Sequence, residues 1–371
     1  MRIGIVGYGA RSKFAELFDD AQLGSEVVAV CDPDPQRQRL AKERFGSELI
    51  VVSALPELLK LELDAVVILT PDDLHAEHAE LALNAGKAVY VEKPLAITVP
   101  QAEAVLAASA KNQKLLFVGH NMRYMPIVEA LRKAIDDGLI GEVKSVWCRH
   151  FVGHGGDFFF KDWHADRSRV NSLLLQKGTH DLDVINYLSG SEPERVSAFG
   201  NRTVYFPNPQ AQPKASIDHD WDAYLRSWPP VDREDLAAVI DVEDLSIVNL
   251  QMRNGVLATY QQCHYTPDYW RSYTVIGDRG RLENFGDGPG SEIRVWNQRI
   301  MGYSEQPDLT LRVHHPAGSH AGADPRIVAA FLEALAAGNP EAGNGRSALA
   351  AVQAGAGATE SLRSDGQPVV F

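Results

Sequence analysis

From Met1 to about residue 120 the chain alternates short, continuously apolar runs with helical stretches, and few folds accept that order. IGIVG (3–7), EVVAVCD (26–32), LDAVVILT (63–70), KAVYVEK (87–93) and LLFVGH (115–120) are rich in β-branched residues. Unbroken apolar runs of this length suit strands buried on both faces. Between them lie helical segments such as PQRQRLAKERFG and DDLHAEHAELALNAG, each closing near glycine. Strand–helix alternation predicts a parallel, doubly wound sheet.

After His120 the rhythm changes. GEVKSVWCRHFVG, PERVSAFGNRTVYF, DLSIVNLQMRNGVLATYQQC and SYTVIGDRGRLENFG are longer and more alternating, and RNG and GDRGR within them signal hairpin turns. The expected fold class is therefore α/β plus α+β. A Rossmann dinucleotide-binding domain spans 1–120, and a second domain on an open, mainly antiparallel sheet spans 121–371, with its last helices free to pack back on the first. The proline-rich stretch 207–230 reads as an inserted loop. With 371 residues the chain is long enough for two cores.

The formal net charge of -13 argues against a nucleic-acid partner. No apolar stretch approaches the roughly 20 residues needed to span a membrane. The first strand begins almost at Met1, so no signal peptide is expected. Cys31, Cys148 and Cys263 are scattered, as in a cytoplasmic protein with reduced thiols, and give neither a disulfide framework nor a zinc site.

Gly7-Tyr8-Gly9-Ala10-Arg11-Ser12 follows a strand and opens a helix, the setting in which a glycine string binds a dinucleotide. Gly7 permits the tight turn, Gly9 lets a pyrophosphate approach the backbone, and Ser12 stands in place of a third glycine. Asp32 ends the second strand, where a carboxylate accepts from both ribose hydroxyls and repels a 2′-phosphate. NAD is the expected cofactor, and Arg37 leaves room for NADP. Thr70 and Pro71 end the third strand beside the cofactor, with His75 and His78 spaced i, i+3. Without a matching carboxylate or cysteine that pair is read as helix, and no metal is expected. Lys93 precedes Pro94, which disfavours the helical region for its backbone.

These blocks resemble the glucose–fructose oxidoreductase / inositol dehydrogenase / MocA family: the glycine turn, the acid after strand two, Glu92-Lys93-Pro94, and the later QKGTH of LLLQKGTHDLD (173–183). GHNMRYMP (119–126), DVEDLSIVNLQMRNGVLATY and GADPRIVAAFLEAL follow in the family's order. The resemblance implies an NAD(P)-dependent dehydrogenase of a sugar, polyol or inositol-like alcohol, assembled as a homodimer or homotetramer through the open sheet. It implies that Lys93 contacts substrate and cofactor, that Glu92 shapes its turn, and that Asn121, Arg123 and Tyr124 line the ligand site. His180 is implied as the group that takes the hydroxyl proton, a task suited to an imidazole near neutral pH.

The family's commonest pattern has aspartate where this chain has Gln176. Gln176 can still hydrogen-bond the imidazole but brings no charge. Lys177, three residues before His180, is a second candidate for the acid/base group or a substrate anchor, and a structural role for both is a third reading. Asp183 offers a compensating carboxylate. In HFVGHGGDFFFKDWHADRSR (150–169), Trp163, His164 and Arg167 are candidates for contact with nicotinamide, its phosphate or a sugar ring. Two other functions remain open. One is glycoside-cleaving or lyase chemistry through tightly held NAD, and the other is a non-catalytic NAD-responsive regulator.

Overall fold

The apolar runs of the first half pair in parallel throughout. In the computed structural model β1 (Arg2–Val6), β2 (Glu26–Cys31), β3 (Ile50–Val52), β4 (Ala65–Ile68), β5 (Ala88–Val91) and β6 (Leu116–Val118) form one sheet of order β3-β2-β1-β4-β5-β6. The order reverses between β1 and β4, which is where doubly wound sheets bind ligands at their carboxyl ends. The described residues are 1–153, 156–207, 236–316 and 319–371. His154 and all but Pro207 of the 207–230 stretch lie outside them.

The helices of this half are α1 (Ser12–Ala15), α2 (Pro35–Phe45), α3 (Leu55–Leu58), α4 (Asp72–Asn84) and α5 (Val99–Asn112). Asp34 caps α2 and Thr98 caps α5 through their side chains, and proline follows in the first turn of each. The helix after the glycine turn is shorter than the spacing suggests: four residues of α1, then a 3₁₀ turn over Glu16–Phe18.

The chain forms two compact units. The first comprises Met1–Tyr124 and Gly322–Val352, the second Met125–Ala321 and Gln353–Phe371. Residues after 321 thus return to the first unit, through α10 (Ala323–Ala336) and the start of α11 (Gly345–Leu362). Ile327, Val328, Phe331 and Leu332 of α10 complete the first unit's core. There Tyr90 meets Phe18 and Phe331 edge-on at 5.1 and 5.5 Å and stacks on Phe117 at 6.2 Å. Offset and edge-on aromatic pairs add stability beyond the area they bury.

The second unit is built on β7 (Val143–Val152), β8 (Pro193–Asn201), β9 (Leu245–Met252), β10 (Leu257–Cys263), β11 (Tyr269–Gly277), β12 (Arg281–Phe285), β13 (Glu292–Trp296), β14 (Leu309–Arg312) and β15 (Val369–Val370). They form a nine-stranded sheet, β14-β13-β12-β11-β7-β10-β9-β8-β15. The β7–β10 pair is parallel and the rest antiparallel, so the sheet is mixed but mainly antiparallel. The hairpin turns expected at RNG and GDRGR join β9 to β10 and β11 to β12.

Helices α6 (Pro126–Asp136), α7 (Arg167–Val170), α8 (Leu173–Gln176) and α9 (Thr179–Ser189) belong to this unit. Its strands alternate buried and exposed residues, as a sheet covered on one side must. Phe199, Trp147 and Leu257 share the uncovered face and are 62%, 49% and 59% exposed. Among the described residues no helix is long and apolar enough to cross a membrane.

Candidate active site

The first unit gathers its polar sequence blocks at the carboxyl ends of adjacent parallel strands. The glycine turn follows β1, Thr70-Pro71 follows β4, Glu92-Lys93 follows β5, and Asn121 lies just past β6. Gly7 has φ of +87°, and a β-carbon there would sit 3.0 Å from the Leu69 carbonyl group, so the turn excludes larger residues. At Gly9 a β-carbon would meet nothing within 4 Å, so the backbone is open to a ligand. Buried Asp32 accepts from the Tyr8 amide at 2.8 Å and the Asp34 amide at 2.9 Å. The carboxylate expected to meet a ribose therefore also fixes the glycine turn. The Tyr8 ring is buried against Phe45, leaving its backbone as the part facing the turn.

Arg11 turns toward the protein. Its Nη2 and Nε donate to Glu92 Oε1 at 2.7 and 3.1 Å, and Nη1 lies 3.5 Å from Asp324 Oδ2. Asp324 Oδ1 in turn accepts from Asn121 Nδ2 at 2.7 Å. Burial works against the Glu92 charge, but Arg11 and then Lys93 outweigh it and hold its carboxyl below the usual range. The same carboxylates outweigh the burial of Arg11 and raise its guanidinium. The Lys93 amide donates to Glu92 Oε2 at 3.2 Å, and the Lys93–Pro94 peptide is cis.

His75 is buried, with Nδ1 2.7 Å from the Pro94 carbonyl and Nε2 2.7 Å from the Thr70 carbonyl. It joins the ends of β4 and β5 through both ring nitrogens, which meet backbone carbonyls. Thr70 Oγ1 pairs with His78 Nδ1 at 3.2 Å. Asp72 is buried beside this group, and burial, with Glu92 and Asp73 adding and Lys93 opposing, moves its pKa up to about 7. Among the described residues no group of three histidine, cysteine or acidic side chains is placed to hold a metal.

In the second unit, LLLQKGTHDLD is two helices. Ser172 caps α8, accepting from the Leu175 amide, and the chain re-enters helix as α9 after Lys177-Gly178. Gln176 and His180 thus lie on either side of a break between helices. A β-carbon on Gly178 would lie 2.6 Å from the Leu174 carbonyl oxygen and 3.0 Å from both Gln262 and Tyr260. Only glycine lets the break lie this close to β10. Gln176 and His180 are buried, and half-buried Lys177 holds its Nζ 5.5 Å from the centre of the Phe159 ring.

Beneath α9 lies a polar core centred on Asp181. Its carboxylate accepts from His150 Nδ1 at 2.8 Å, from Tyr260 at 3.0 Å and from Tyr273, and pairs with Arg271 Nε at 3.0 Å. Burial opposes its charge, yet Arg271 and His150 hold its carboxyl far below the usual range. Burial and the neighbouring Arg271 lower His150 to about 4, so its imidazole is neutral at pH 7. Nδ1–H then donates to Asp181, and Nε2 accepts from Arg271 Nη2 at 3.3 Å. Gln262 joins Tyr260 to His264, each contact 2.7 Å. The Lys177 charge helps to lower both His150 and His264.

Of the other sequence candidates, Arg167 pairs with Asp241 at 3.0 Å, and Trp163 stacks on His164 at 3.9 Å. Tyr124 packs partly buried against the first core, and its carbonyl accepts from Arg326. Arg123 is half-buried, and Ala10 and Ser12 line the glycine turn. No motif in the sequence marks Asp181, His150, Arg271, Tyr260 or Asp324 as members of a polar cluster. The one local signal was the Asp181 carboxylate beside His180, which reads equally well as an ordinary first-turn acid.

Residues 1–120 match the oxidoreductase family with an NAD-binding Rossmann fold, and residues 128–283 match the GFO/IDH/MocA C-terminal domain. YteT of Bacillus subtilis, an oxidoreductase by name, is 27% identical over 349 residues, covering 82% of this chain and 81% of that protein. Inositol 2-dehydrogenase of Rhizobium meliloti is 32% identical over 200 residues, 53% of this chain and 58% of the relative, so this match spans little more than half of that protein. Scyllo-inositol dehydrogenase of Lactobacillus casei, solved with bound NAD(H) and scyllo-inositol, shares the fold with a TM-score of 0.73 at 19% identity, covering 100% of this chain and 98% of that one. Glycine turn, strand-end lysine, mixed second sheet and both domain matches agree: this chain belongs to the Gfo/Idh/MocA family of NAD-dependent oxidoreductases.

Proposed function

We propose that this protein transfers a hydride between NAD and the carbon of a secondary hydroxyl or ketone on a sugar, polyol or inositol-like substrate. The observation that carries the reading is the frame at the first unit's sheet end, where Arg11 of the dinucleotide turn is bonded to the Glu92 that precedes Lys93. Gly7, Gly9 and Ser12 suit the pyrophosphate, and Asp32 suits an unphosphorylated ribose, which favours NAD over NADP. When bound, the nicotinamide supplies the hydride acceptor. Lys93 donates a hydrogen bond to the reacting oxygen and orients it. The His180 imidazole takes the hydroxyl proton, with Lys177 as the alternative base. Asn121, Arg123, Tyr124, Trp163, Gln176 and Arg167 are proposed ligand contacts. The three free cysteines suit a reducing compartment, the cytoplasm.

The test is a panel of sugars, polyols and inositols with NAD, read at the nicotinamide absorbance, on wild type and Lys93→Met. One observation favours a second reading, redox-neutral chemistry on tightly held NAD: Gln176-Lys177 replaces the acid of the commonest family pattern. That reading requires NAD to co-purify and product to form without net change in the nicotinamide signal.

The uncovered face of the nine-stranded sheet carries Phe199, Trp147, Leu257 and Ile247. We propose that a second copy covers it. Light scattering is expected to report a dimer or tetramer for wild type and a smaller species for Leu257→Arg. A monomeric wild type would refute the assignment.

A further inference from the structure

Resting on the hydride-transfer reading for its role in turnover, we infer that Arg11 is a positioning residue: it divides the Glu92 charge between itself and Lys93, and so sets how readily the strand-end lysine gives up its proton. Sequence spacing placed Arg11 among the groups that meet the cofactor. Its guanidinium bonds inward, with two bonds to Glu92 Oε1 at 2.7 and 3.1 Å and Asp324 Oδ2 at 3.5 Å. Its plane also lies 4.1 Å from the centre of the Phe14 ring, which fixes the side chain from behind. The other Glu92 oxygen accepts from the Lys93 amide, so one carboxylate holds both the glycine turn and the lysine turn. Through Asp324 the same arginine reaches Asn121, beyond β6. Glu92 past β5 and Asp324 of α10 therefore meet on one guanidinium, with Asn121 joined through Asp324.

Charge balance gives this arrangement its consequence. Glu92 feels the charges of both Arg11 and Lys93, and Asp324 lies on the other side of Arg11, in a partly buried region. Asp72 and His75 of α4 and the Tyr90 hydroxyl of β5 are the other titratable groups in this field, joined by Tyr124 past β6. At short range in a partly buried site, each charge shifts its neighbours' proton affinity appreciably. Removing Arg11 leaves Glu92 to Lys93 alone and favours the ammonium. Neutralising Glu92 while keeping Arg11 removes an anion from the field of Lys93 and favours the free amine. A merely structural latch would not produce shifts of opposite sign.

The test reads Lys93 without any substrate. Wild type, Arg11→Met, Arg11→Lys and Glu92→Gln would be labelled with trace acetic anhydride across a pH series. The midpoint of Lys93 acetylation would be read by peptide mass spectrometry, with thermal melts confirming folding. Arg11→Met is expected to raise the midpoint by roughly one pH unit and Glu92→Gln to lower it by a similar amount. Arg11→Lys should stay near wild type. An unchanged midpoint, or a shift of the same sign in Arg11→Met and Glu92→Gln, would overturn the inference. If Arg11→Met does not fold, Arg11→Gln takes its place, and anything but a rise in its midpoint refutes the role. Shifts in a protein that never reduces NAD would count against hydride transfer only, and an active dehydrogenase without shifts would count against Arg11 only.

Discussion

Glu92 in the first unit and Asp181 in the second are both buried carboxylates paired with an arginine, Arg11 and Arg271. Asp181 has donors on every side: His150, Tyr260, Tyr273 and Arg271. Its charge is saturated by fixed partners, and the groups around it are locked in one protonation state. Glu92 spends one oxygen on Arg11 and the other on the backbone of the lysine that follows it. A saturated carboxylate secures a fold, whereas a shared one tunes its neighbour. The difference lies between a carboxylate whose partners are all fixed and one that borders the proposed reacting lysine.

The largest expected effect lies on the scaffold side. Asp181→Ala leaves Arg271 buried without its main counter-charge and should cost about 3–5 kcal/mol of stability, measured by urea unfolding. A loss below about 1 kcal/mol would mean that the Asp181 core is not the structural centre described above.

Asp72 probes the tuned side. Its carboxyl titrates near 7 in the fold and near the usual 4 when unfolded. The folded value is raised, so the stability tied to the neutral form is full below about pH 4. It is lost as pH rises through 7, where a buried group must ionise. Asp72→Asn should therefore gain on wild type from pH 4 to pH 8, by on the order of 2–4 kcal/mol at the upper end. Melting temperatures of both proteins across that range check it. A difference independent of pH would place Asp72 among the saturated carboxylates.

The smallest effect concerns the cofactor. Asp32→Ala should lower the preference for NAD over NADP by roughly tenfold, about 1.4 kcal/mol, in equilibrium titrations. It should also loosen the glycine turn, because Asp32 holds the Tyr8 amide. An unchanged preference would leave Asp32 with the turn alone.

The first sheet was legible because its central strands are apolar on both faces and glycine or proline punctuates them. β3 escaped notice: Ile50–Val52 is a three-residue edge strand, half-exposed, with no run long enough to stand out. The short α1 was also unforeseen, since a glycine turn announces a helix but not its length. The second sheet announced its alternation and hairpins, but not the parallel β7–β10 pair, which depends on contacts far apart in the chain.

The same reason hid the Asp181 core. Its hydrogen-bonding partners lie 31, 79 and 92 residues away, and no local pattern marks them. Glu92-Lys93-Pro94, by contrast, is a single tripeptide at a strand end, and its proposed role rests on the family resemblance. What the tripeptide did not reveal is that its glutamate is tied to an arginine 81 residues earlier, in the glycine turn.

The most direct test of the central claim is steady-state NAD reduction by wild type and Lys93→Met on the best substrate of the panel, with melting temperature as the control for folding. Wild type is expected to turn over, and kcat/KM to fall by at least a hundredfold, about 2.7 kcal/mol, in a variant that melts near the wild-type temperature. A folded Lys93→Met that reduces NAD at the wild-type rate would contradict the claim.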